Sequence, residues 1–124
     1  MKNHSAVWLD QQEARIFHIA AGNFDESTLL APSQIARHPN PDNSQRHDQE
    51  EQRRYFKDLA HALVGSEQVL ILGPSTAKLH FLKYVHQHDH LLEARIAGVE
   101  TVDHPTDKQI VAYSRKYFEA QPTT

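Results

Sequence analysis

Three aspartates have the chemistry of metal ligands. Asp10 directly follows the apolar segment at residues 6–9, and Asp103 and Asp107 lie on either side of Pro105. Carboxylates of this kind hold the ions in two-metal hydrolysis. Asp10 also opens the short turn at residues 10–13. At this position the side chain of aspartate often accepts a hydrogen bond from a backbone amide of the turn. A hydrolytic metal site and a plain turn are both compatible with Asp10, and the turn is the favoured interpretation.

Histidines form a second candidate cluster. The chain has ten of them, and His86, His88 and His90 recur at every second position. Imidazoles bind zinc, but a metal site normally needs three or four ligands held together. A helical backbone would spread side chains at this spacing over different directions. We therefore treat the three as weak metal candidates at a solvated helix end, and the sequence predicts no metal site and no cofactor.

A third candidate cluster is basic and lies in the middle of the chain. Its members are Arg37, His38, Arg46, His47, Arg53, Arg54 and Lys57. Arginine side chains contact RNA phosphates, and histidines would add positive charge in mild acid. Four nearby carboxylates, those of Asp42, Asp48, Glu50 and Glu51, nearly cancel this charge. The cluster is therefore a candidate RNA or ribosome contact, with a solvated charged surface as the alternative.

The segment around residues 69–83 predicts the architecture most clearly. Residues 69–72 form a continuous apolar run, which is typical of a strand buried on both faces of a sheet. Gly73 and Pro74 end that strand, and Ser75 is expected to cap the following helix. The segment is not a phosphate-binding loop, because Lys78 follows Ala77 rather than glycine and precedes Leu79 rather than serine or threonine. Gly73, Pro74 and Lys78 are therefore predicted to form a structural turn.

The other elements follow from hydrophobic periodicity. Strands are predicted at residues 6–9, 14–19 and 24–30, and a further strand at residues 94–102 in which Gly98 permits a bulge or close packing. Helices are predicted from the pair Asp48 and Glu51 to Gly65, after Ser75, and from the capping pair Thr106 and Gln109. In the first helix, Phe56, Leu59, Ala60, Leu63 and Val64 are expected to face the core.

Residues 31–49 contain little that could enter a core, so they are predicted to form a mobile surface loop. The resulting order, β-β-β-α-β-α-β-α, predicts a mixed five-stranded sheet of ribonuclease H-like type with helices on both faces. Enzymes of that fold keep a metal-binding carboxylate near the position of Asp10. Two other α/β arrangements remain possible.

Length and composition restrict the remaining possibilities. A chain of 124 residues predicts a single domain over residues 1–120 with a disordered tail at 121–124. It has no cysteine, which excludes disulfides and thiolate zinc sites. No apolar run has signal-peptide or membrane-span length, so we expect a cytoplasmic protein without a membrane partner. The net charge of −3 excludes a uniformly basic nucleic-acid-binding surface, and the sequence does not determine the oligomeric state.

Several of these segments resemble a known group of translation proteins. The segments are residues 7–17, residues 70–81, residues 91–99 and residues 99–107. They resemble the middle domain of the archaeal and eukaryotic class I peptide chain release factors and of Pelota. They are most similar to small bacterial single-domain relatives that are commonly labelled translational machinery proteins. The resemblance extends from Ala6 to Phe118 and implies a ribonuclease H-like fold.

The chain departs from the release factors in the part that performs their chemistry. In those factors the loop between the third strand and the first helix carries a Gly-Gly-Gln motif that promotes peptidyl-tRNA hydrolysis. Residues 31–49 contain no glycine, so peptide release is not expected, and the match is nearer to Pelota, which also lacks the motif. The sequence and the resemblance together predict a non-catalytic translation-associated protein that binds the ribosome or tRNA. The alternative is a divergent metal-dependent nuclease that uses Asp10.

Overall fold

The computed structural model describes residues 4–20, 23–31 and 41–120, with the backbone alone for residues 41–49. Its strands are β1 (His4–Leu9), β2 (Glu13–Ala20), β3 (Asn23–Leu30), β4 (Gln68–Gly73) and β5 (Ile96–Thr101). Its helices are α1 (Pro41–Ala62), α2 (Ala77–His88), α3 (His90–Glu93) and α4 (Asp107–Ala120). Along the described chain, the elements follow the predicted order with the single-turn helix α3 added.

The five strands form one mixed sheet in the order β3-β2-β1-β4-β5. Strand β1 pairs antiparallel with β2 and parallel with β4, and β4 pairs parallel with β5. Strands β1, β2 and β3 form an antiparallel meander, because the short turns between them permit only that pairing. The predicted ribonuclease H-like mixed sheet is confirmed.

Side-chain alternation along the strands gives the sheet two buried faces. In β1, Val7 and Leu9 belong to one apolar cluster, whereas Ala6 and Trp8 belong to the other. The first cluster is completed by residues from α1 and α2, and the second by residues from α4. Helices therefore cover both faces, as predicted. Strand β4 lies between β1 and β5, and its residues 69–72 are at most 1% exposed.

Helix α1 begins earlier than the sequence pattern predicted. The expected loop extended over residues 31–49, but the backbone is already helical at Pro41, so that Asp48 lies inside the helix and does not cap it. Proline is well tolerated at the first helical position. The glutamines, glutamates and arginines within residues 45–54 propagate a helix without an apolar stripe. Ala31, the first residue of the predicted loop, is buried and does not belong to a surface loop. Residues 32–40 and the predicted tail at 121–124 lie outside the described residues.

The C-terminal end of α1 corrects one predicted core position. The helix ends at Ala62, and Gly65 adopts a positive φ of 89°, which favours glycine. Because the chain leaves the helical path before Val64, that side chain is 72% exposed rather than buried. The other four predicted inward positions of the helix are buried.

The start of helix α2 also differs from the prediction. Thr76, rather than Ser75, occupies the N-cap position, and its side chain makes no capping hydrogen bond. The Ser75 hydroxyl lies 3.5 Å from the Ala77 amide, at the limit of hydrogen-bonding distance. Strand β4 ends at Gly73, and Pro74 and Ser75 form the bend that follows it. The helix therefore begins one residue later than predicted, after Thr76.

The last strand and helix follow the prediction closely. A register shift occurs in β5 between the partners of Val69 and Leu70, and a Cβ atom on Gly98 would collide with the Tyr117 hydroxyl. At the start of α4, the Thr106 amide donates to Gln109 Oε1 at 2.9 Å, and the Gln109 amide donates to Thr106 Oγ1 at 3.2 Å. The predicted capping box is present. Among the described helices, none is long and apolar enough to cross a membrane.

Candidate functional site

The predicted basic residues are distributed along and before helix α1. Arg53, Arg54 and Lys57 lie on this helix with exposed side chains. The backbone positions of residues 46 and 47 also belong to it, but the side chains of Arg46 and His47 lie outside what the structure describes. Arg37 and His38 precede the helix and lie outside the described residues altogether. The exposed cations of α1 are therefore the part of the prediction that the structure places.

A groove runs between α1 and α2, and we call it the α1–α2 groove. Its first part has a volume of about 260 Å³ and is lined by Gln52, Arg53, Phe56, His80, Lys83, Tyr84, Gln87 and His88. Arg53 contributes positive charge from α1 and Lys83 from α2, and two histidines add ring nitrogen atoms that can form hydrogen bonds. No carboxylate lines this part of the groove among the described side chains. The local charge is therefore positive, although the whole chain carries −3.

Aromatic rings form the floor of the α1–α2 groove. The ring centres of Phe56 and Tyr84 lie 6.0 Å apart, and those of Tyr84 and His88 lie 4.7 Å apart. Phe56 also contacts Phe81 of α2, with ring centres 5.6 Å apart, and both belong to the apolar cluster that packs on the sheet. The floor of the groove is therefore continuous with the hydrophobic core. Phe56 is buried, whereas Tyr84 is half-buried and accessible from the groove. Cations beside an accessible ring are suited to nucleic acid, because the cations can contact phosphates while a base stacks on the ring.

The second part of the α1–α2 groove is less positive. It has a volume of about 370 Å³ and is lined by Lys57, Asp58, Ala60, His61, Val64, Tyr84, His88 and Asp89. Tyr84 and His88 line both parts, so the two are continuous. Asp58 and Asp89 oppose the charge of Lys57 here, and Asp89 also caps α3 by accepting a hydrogen bond from the Leu92 amide at 3.1 Å. Phosphate contacts are therefore favoured in the first part.

The groove includes residues that the sequence analysis did not select. Arg53 and Lys57 line it, but Arg54 lines neither part. His80, Lys83 and Gln87 were not singled out as contact residues, although their spacing of three and four places them on one polar face of α2. That helical spacing was the available signal. The sequence alone does not determine which face of α2 lies beside Arg53.

Asp10 performs a structural role in the β1–β2 turn. Its Oδ1 atom accepts hydrogen bonds from the Gln12 amide at 2.8 Å and from the Glu13 amide at 2.9 Å. Its carbonyl oxygen accepts a longer one, 3.4 Å, from the Tyr55 hydroxyl. Burial raises the pKa of Tyr55, and the negative charges of Asp10 and Glu13 raise it further, so the phenol remains a proton donor. The carboxylate of Asp10 is thus engaged by the turn.

The other two aspartates have separate partners. Asp103 Oδ1 lies 2.9 Å from His104 Nδ1, whereas Asp107 Oδ1 accepts a hydrogen bond from Arg15 at 3.1 Å. Among the described residues, no group of three or more histidine, aspartate or glutamate side chains is placed so that it could hold a metal ion. The described carboxylates do not fit the metal site that the nuclease alternative requires.

The histidine cluster is likewise divided. His86 Nδ1 pairs with Glu93 Oε2 at 2.5 Å, and the side chain of His86 is 72% exposed. His88 packs on Tyr84 within the groove, and the rings of His86 and His90 are 6.3 Å apart. These contacts tie the end of α2 to α3 and to the groove, and place His88 in a different environment from His86.

The turn after β4 braces the carboxyl end of the central strands. A Cβ atom on Gly73 would collide with the Leu9 carbonyl oxygen, so the close approach of β1 and β4 needs glycine at this position. Lys78 is 5% exposed, and its Nζ donates a 2.6 Å hydrogen bond to the Ser75 carbonyl oxygen. Pro74 lies between these residues and is partly buried. These contacts brace the turn from within the chain.

Comparison with known proteins relates the chain to others through its structure. No protein-family model matches the sequence, and no curated protein matches it. Solved structures do match. The Pelota protein of Thermoplasma acidophilum is 23% identical with a TM-score of 0.65, and the match covers 93% of this chain and 32% of Pelota. Pelota of Archaeoglobus fulgidus is 12% identical with a TM-score of 0.64, over 92% of this chain and 31% of that one.

The archaeal translation termination factor aRF1 matches in the same way. It is 13% identical with a TM-score of 0.58, and the match covers 94% of this chain and 39% of aRF1. The chain therefore spans about a third of the length of these proteins. At these identities the likeness concerns the fold, and it confirms that the chain has the fold of a domain found in Pelota and aRF1.

Proposed function

We propose that this protein is a non-catalytic accessory protein of translation that binds ribosomal RNA or tRNA through the first part of the α1–α2 groove. The observation that carries the proposal is that Arg53 and Lys83, from two different helices, line the same groove over an aromatic floor. Phosphates would contact these cations, and an unpaired base would stack on Tyr84. The fold shared with a translation termination factor supports a role in translation.

Two features support a binding role rather than peptide release or RNA cleavage. Residues 31–49 contain no glycine and therefore no Gly-Gly-Gln motif. Asp10, Asp103 and Asp107 have separate hydrogen-bond partners among the described residues. That the protein is not an enzyme stays a prediction. A tRNA cleavage assay with Mg²⁺ tests it, and robust turnover abolished by Asp10→Asn would favour the nuclease alternative.

The proposal predicts a selective loss of RNA affinity when the groove cations are removed. Arg53→Ala combined with Lys83→Ala should lower the dependence of log K on log salt by about 1.4 to 1.8, because each lost phosphate contact removes about 0.7 to 0.9. Fluorescence anisotropy with labelled tRNA and co-sedimentation with ribosomes, each at several salt concentrations, measure this. Folding should be retained, since both side chains are exposed.

A matched control separates a local contact from a general charge effect. Arg54→Ala combined with Lys108→Ala also removes two positive charges from exposed positions, and neither residue lines the groove. This control variant should keep nearly the wild-type salt dependence. If it loses as much affinity as the groove variant, or if the groove variant binds like the wild type, the α1–α2 groove is not the contact surface.

A further inference from the structure

A second cavity lies on the opposite side of the sheet from the α1–α2 groove, between the end of β5 and helix α4. We call it the α4 pocket. It has a volume of about 490 Å³, within the usual range for a small-molecule site. It is lined by Leu72, Val102, Asp103, His104, Pro105, Gln109, Ile110 and Tyr113. Leu72 and Ile110 are each 1% exposed, so the base of the α4 pocket is continuous with the hydrophobic core.

The walls of the α4 pocket are held in place by hydrogen bonds. The Val102 amide donates to the Gly73 carbonyl oxygen at 3.0 Å, and Trp8 Nε1 donates to the Asp103 carbonyl oxygen at 2.8 Å. The capping box at the start of α4 fixes Gln109 on the other side. These bonds lie within the chain itself, so the fold holds the walls of the α4 pocket, and binding would cost little reorganisation.

The charges at the rim of the α4 pocket are negative. The Asp103 side chain is 95% exposed at the mouth, and the Tyr113 hydroxyl donates a hydrogen bond to the Glu100 carboxylate. This hydrogen bond raises the pKa of Tyr113 to about 12, so the phenol stays protonated and adds no charge of its own. His104, 63% exposed, pairs with Asp103. Among the described residues, no lysine or arginine lines the α4 pocket.

From the apolar base and the acidic rim we infer that the α4 pocket binds small organic cations, in which an aromatic or aliphatic body carries an ammonium or guanidinium group. The body would lie over Leu72 and Ile110 and displace water from apolar surface, which provides most of the affinity. The cationic group would remain at the rim near Asp103 and Glu100, beside the ring of Tyr113. An anionic ligand would place its charge next to these carboxylates and bind more weakly. This site is separate from the proposed RNA contact.

Three probes with the same aromatic body and different charges test the inference. They are benzylamine (cationic), benzyl alcohol (neutral) and phenylacetate (anionic). The readout is the amide chemical shifts of residues 102–113 together with the indole N–H signal of Trp8, which is unique because the chain has a single tryptophan. Exposed ion pairs contribute modestly, so benzylamine should bind roughly 3 to 10 times more tightly than phenylacetate, with benzyl alcohol in between.

Variants of the acidic rim connect this selectivity to named residues. Asp103→Asn should reduce the ratio between benzylamine and phenylacetate while leaving the affinity for benzyl alcohol unchanged. Asp25→Asn removes an exposed carboxylate from β3, away from the α4 pocket, and should leave the ratio as in the wild type. Equal affinity for the three probes, a preference for phenylacetate, or chemical-shift changes that avoid residues 102–113 would overturn the inference. The same holds if none of the probes binds.

Discussion

At the scale of single residues, a charged network links strand β2 to helix α4. Arg15 Nε donates to Glu13 at 2.8 Å and its Nη1 donates to Asp107 at 3.1 Å, while its guanidinium lies 5.0 Å from the centre of the Trp8 ring. The hydrogen bond to Glu13 is the main reason that the pKa of Arg15 is raised. Because arginine stays charged in proteins, this network holds Asp107 against β2 over a wide pH range.

Glu26 in β3 joins this network unfavourably at neutral pH. Its hydrogen bond to the carboxyl group of Asp107 raises the pKa of Glu26, burial and the charge of Asp107 raise it further, and Arg15 lowers it. The folded protein therefore binds a proton here more tightly than the unfolded chain does. Proton binding at Glu26 therefore stabilises the folded protein. This stabilisation is fully present below the pKa of Glu26 in the unfolded chain and is lost as pH rises through its raised pKa in the folded protein.

We therefore expect Glu26→Gln to stabilise the protein at pH 7, by less than about 1 kcal/mol, as is usual for exposed charge pairs. The gain should disappear in acid, once wild-type Glu26 is itself protonated. Urea denaturation across a series of pH values from 7 to acid measures both effects. Asp25→Asn removes one charge from the same strand and is the matched control. A gain of the same size at every pH would show that the Glu26–Asp107 contact is not responsible.

At the scale of the elements, close approach within the sheet and against helix α4 depends on two glycines. Gly73 and Gly98 both lack room for a Cβ atom, but the obstacle differs. At Gly73 it is the backbone oxygen of Leu9, which is held by the sheet, whereas at Gly98 it is the side chain of Tyr117, which can rotate. The turn that begins at Gly73 also positions Val102 in the wall of the α4 pocket through a hydrogen bond.

Gly73→Ala should consequently cost more stability than Gly98→Ala. Overpacking in a well-packed core typically costs about 1 to 3 kcal/mol, and we expect Gly73→Ala at or above the upper end and Gly98→Ala at the lower end. Chemical denaturation of the two variants beside the wild type measures the difference. If Gly98→Ala costs more stability, then the Tyr117 side chain is held more firmly than the backbone of Leu9.

At the scale of the whole molecule, local and global charge have opposite signs. The chain carries −3 with its ten histidines neutral, whereas the first part of the α1–α2 groove is positive among the described side chains. Histidines gain charge as pH falls below about 7, so the whole molecule becomes less negative in mild acid. The affinity for RNA therefore has two possible sources, the residues of the groove and the total charge, and the two require separate variants.

His80 and His88 line the groove with Arg53 and Lys83, where their ring nitrogens can hydrogen-bond to RNA. We therefore expect His80→Gln combined with His88→Gln to weaken tRNA binding, measured by anisotropy at constant salt and constant pH. His90→Gln combined with His104→Gln removes two exposed histidines outside the groove and should not weaken binding. Equal loss in both variants would assign the effect to the total charge.

Local patterns in the sequence determined much of the fold. The apolar run of β4, the turn at Gly73 and the capping box at Thr106 and Gln109 each depend on residues close together in the chain, so each was predictable. The order of elements then restricted the topology to a few arrangements, and the predicted mixed sheet is the observed one. The start of α1 was not predictable in this way, because a polar helix that extends beyond the core shows no hydrophobic period.

Only the tertiary structure decided which side chains form a site. Arg53 was selected from the sequence and Lys83 was not, yet the packing of α1 against α2 places both in one groove. The α4 pocket likewise combines Leu72 from β4 with Tyr113 from α4. Contacts between residues distant in sequence depend on how helices seat on the sheet, and the composition of either segment alone does not determine that seating. The chemistry of each residue type is local information, whereas its neighbours in space are a property of the folded chain.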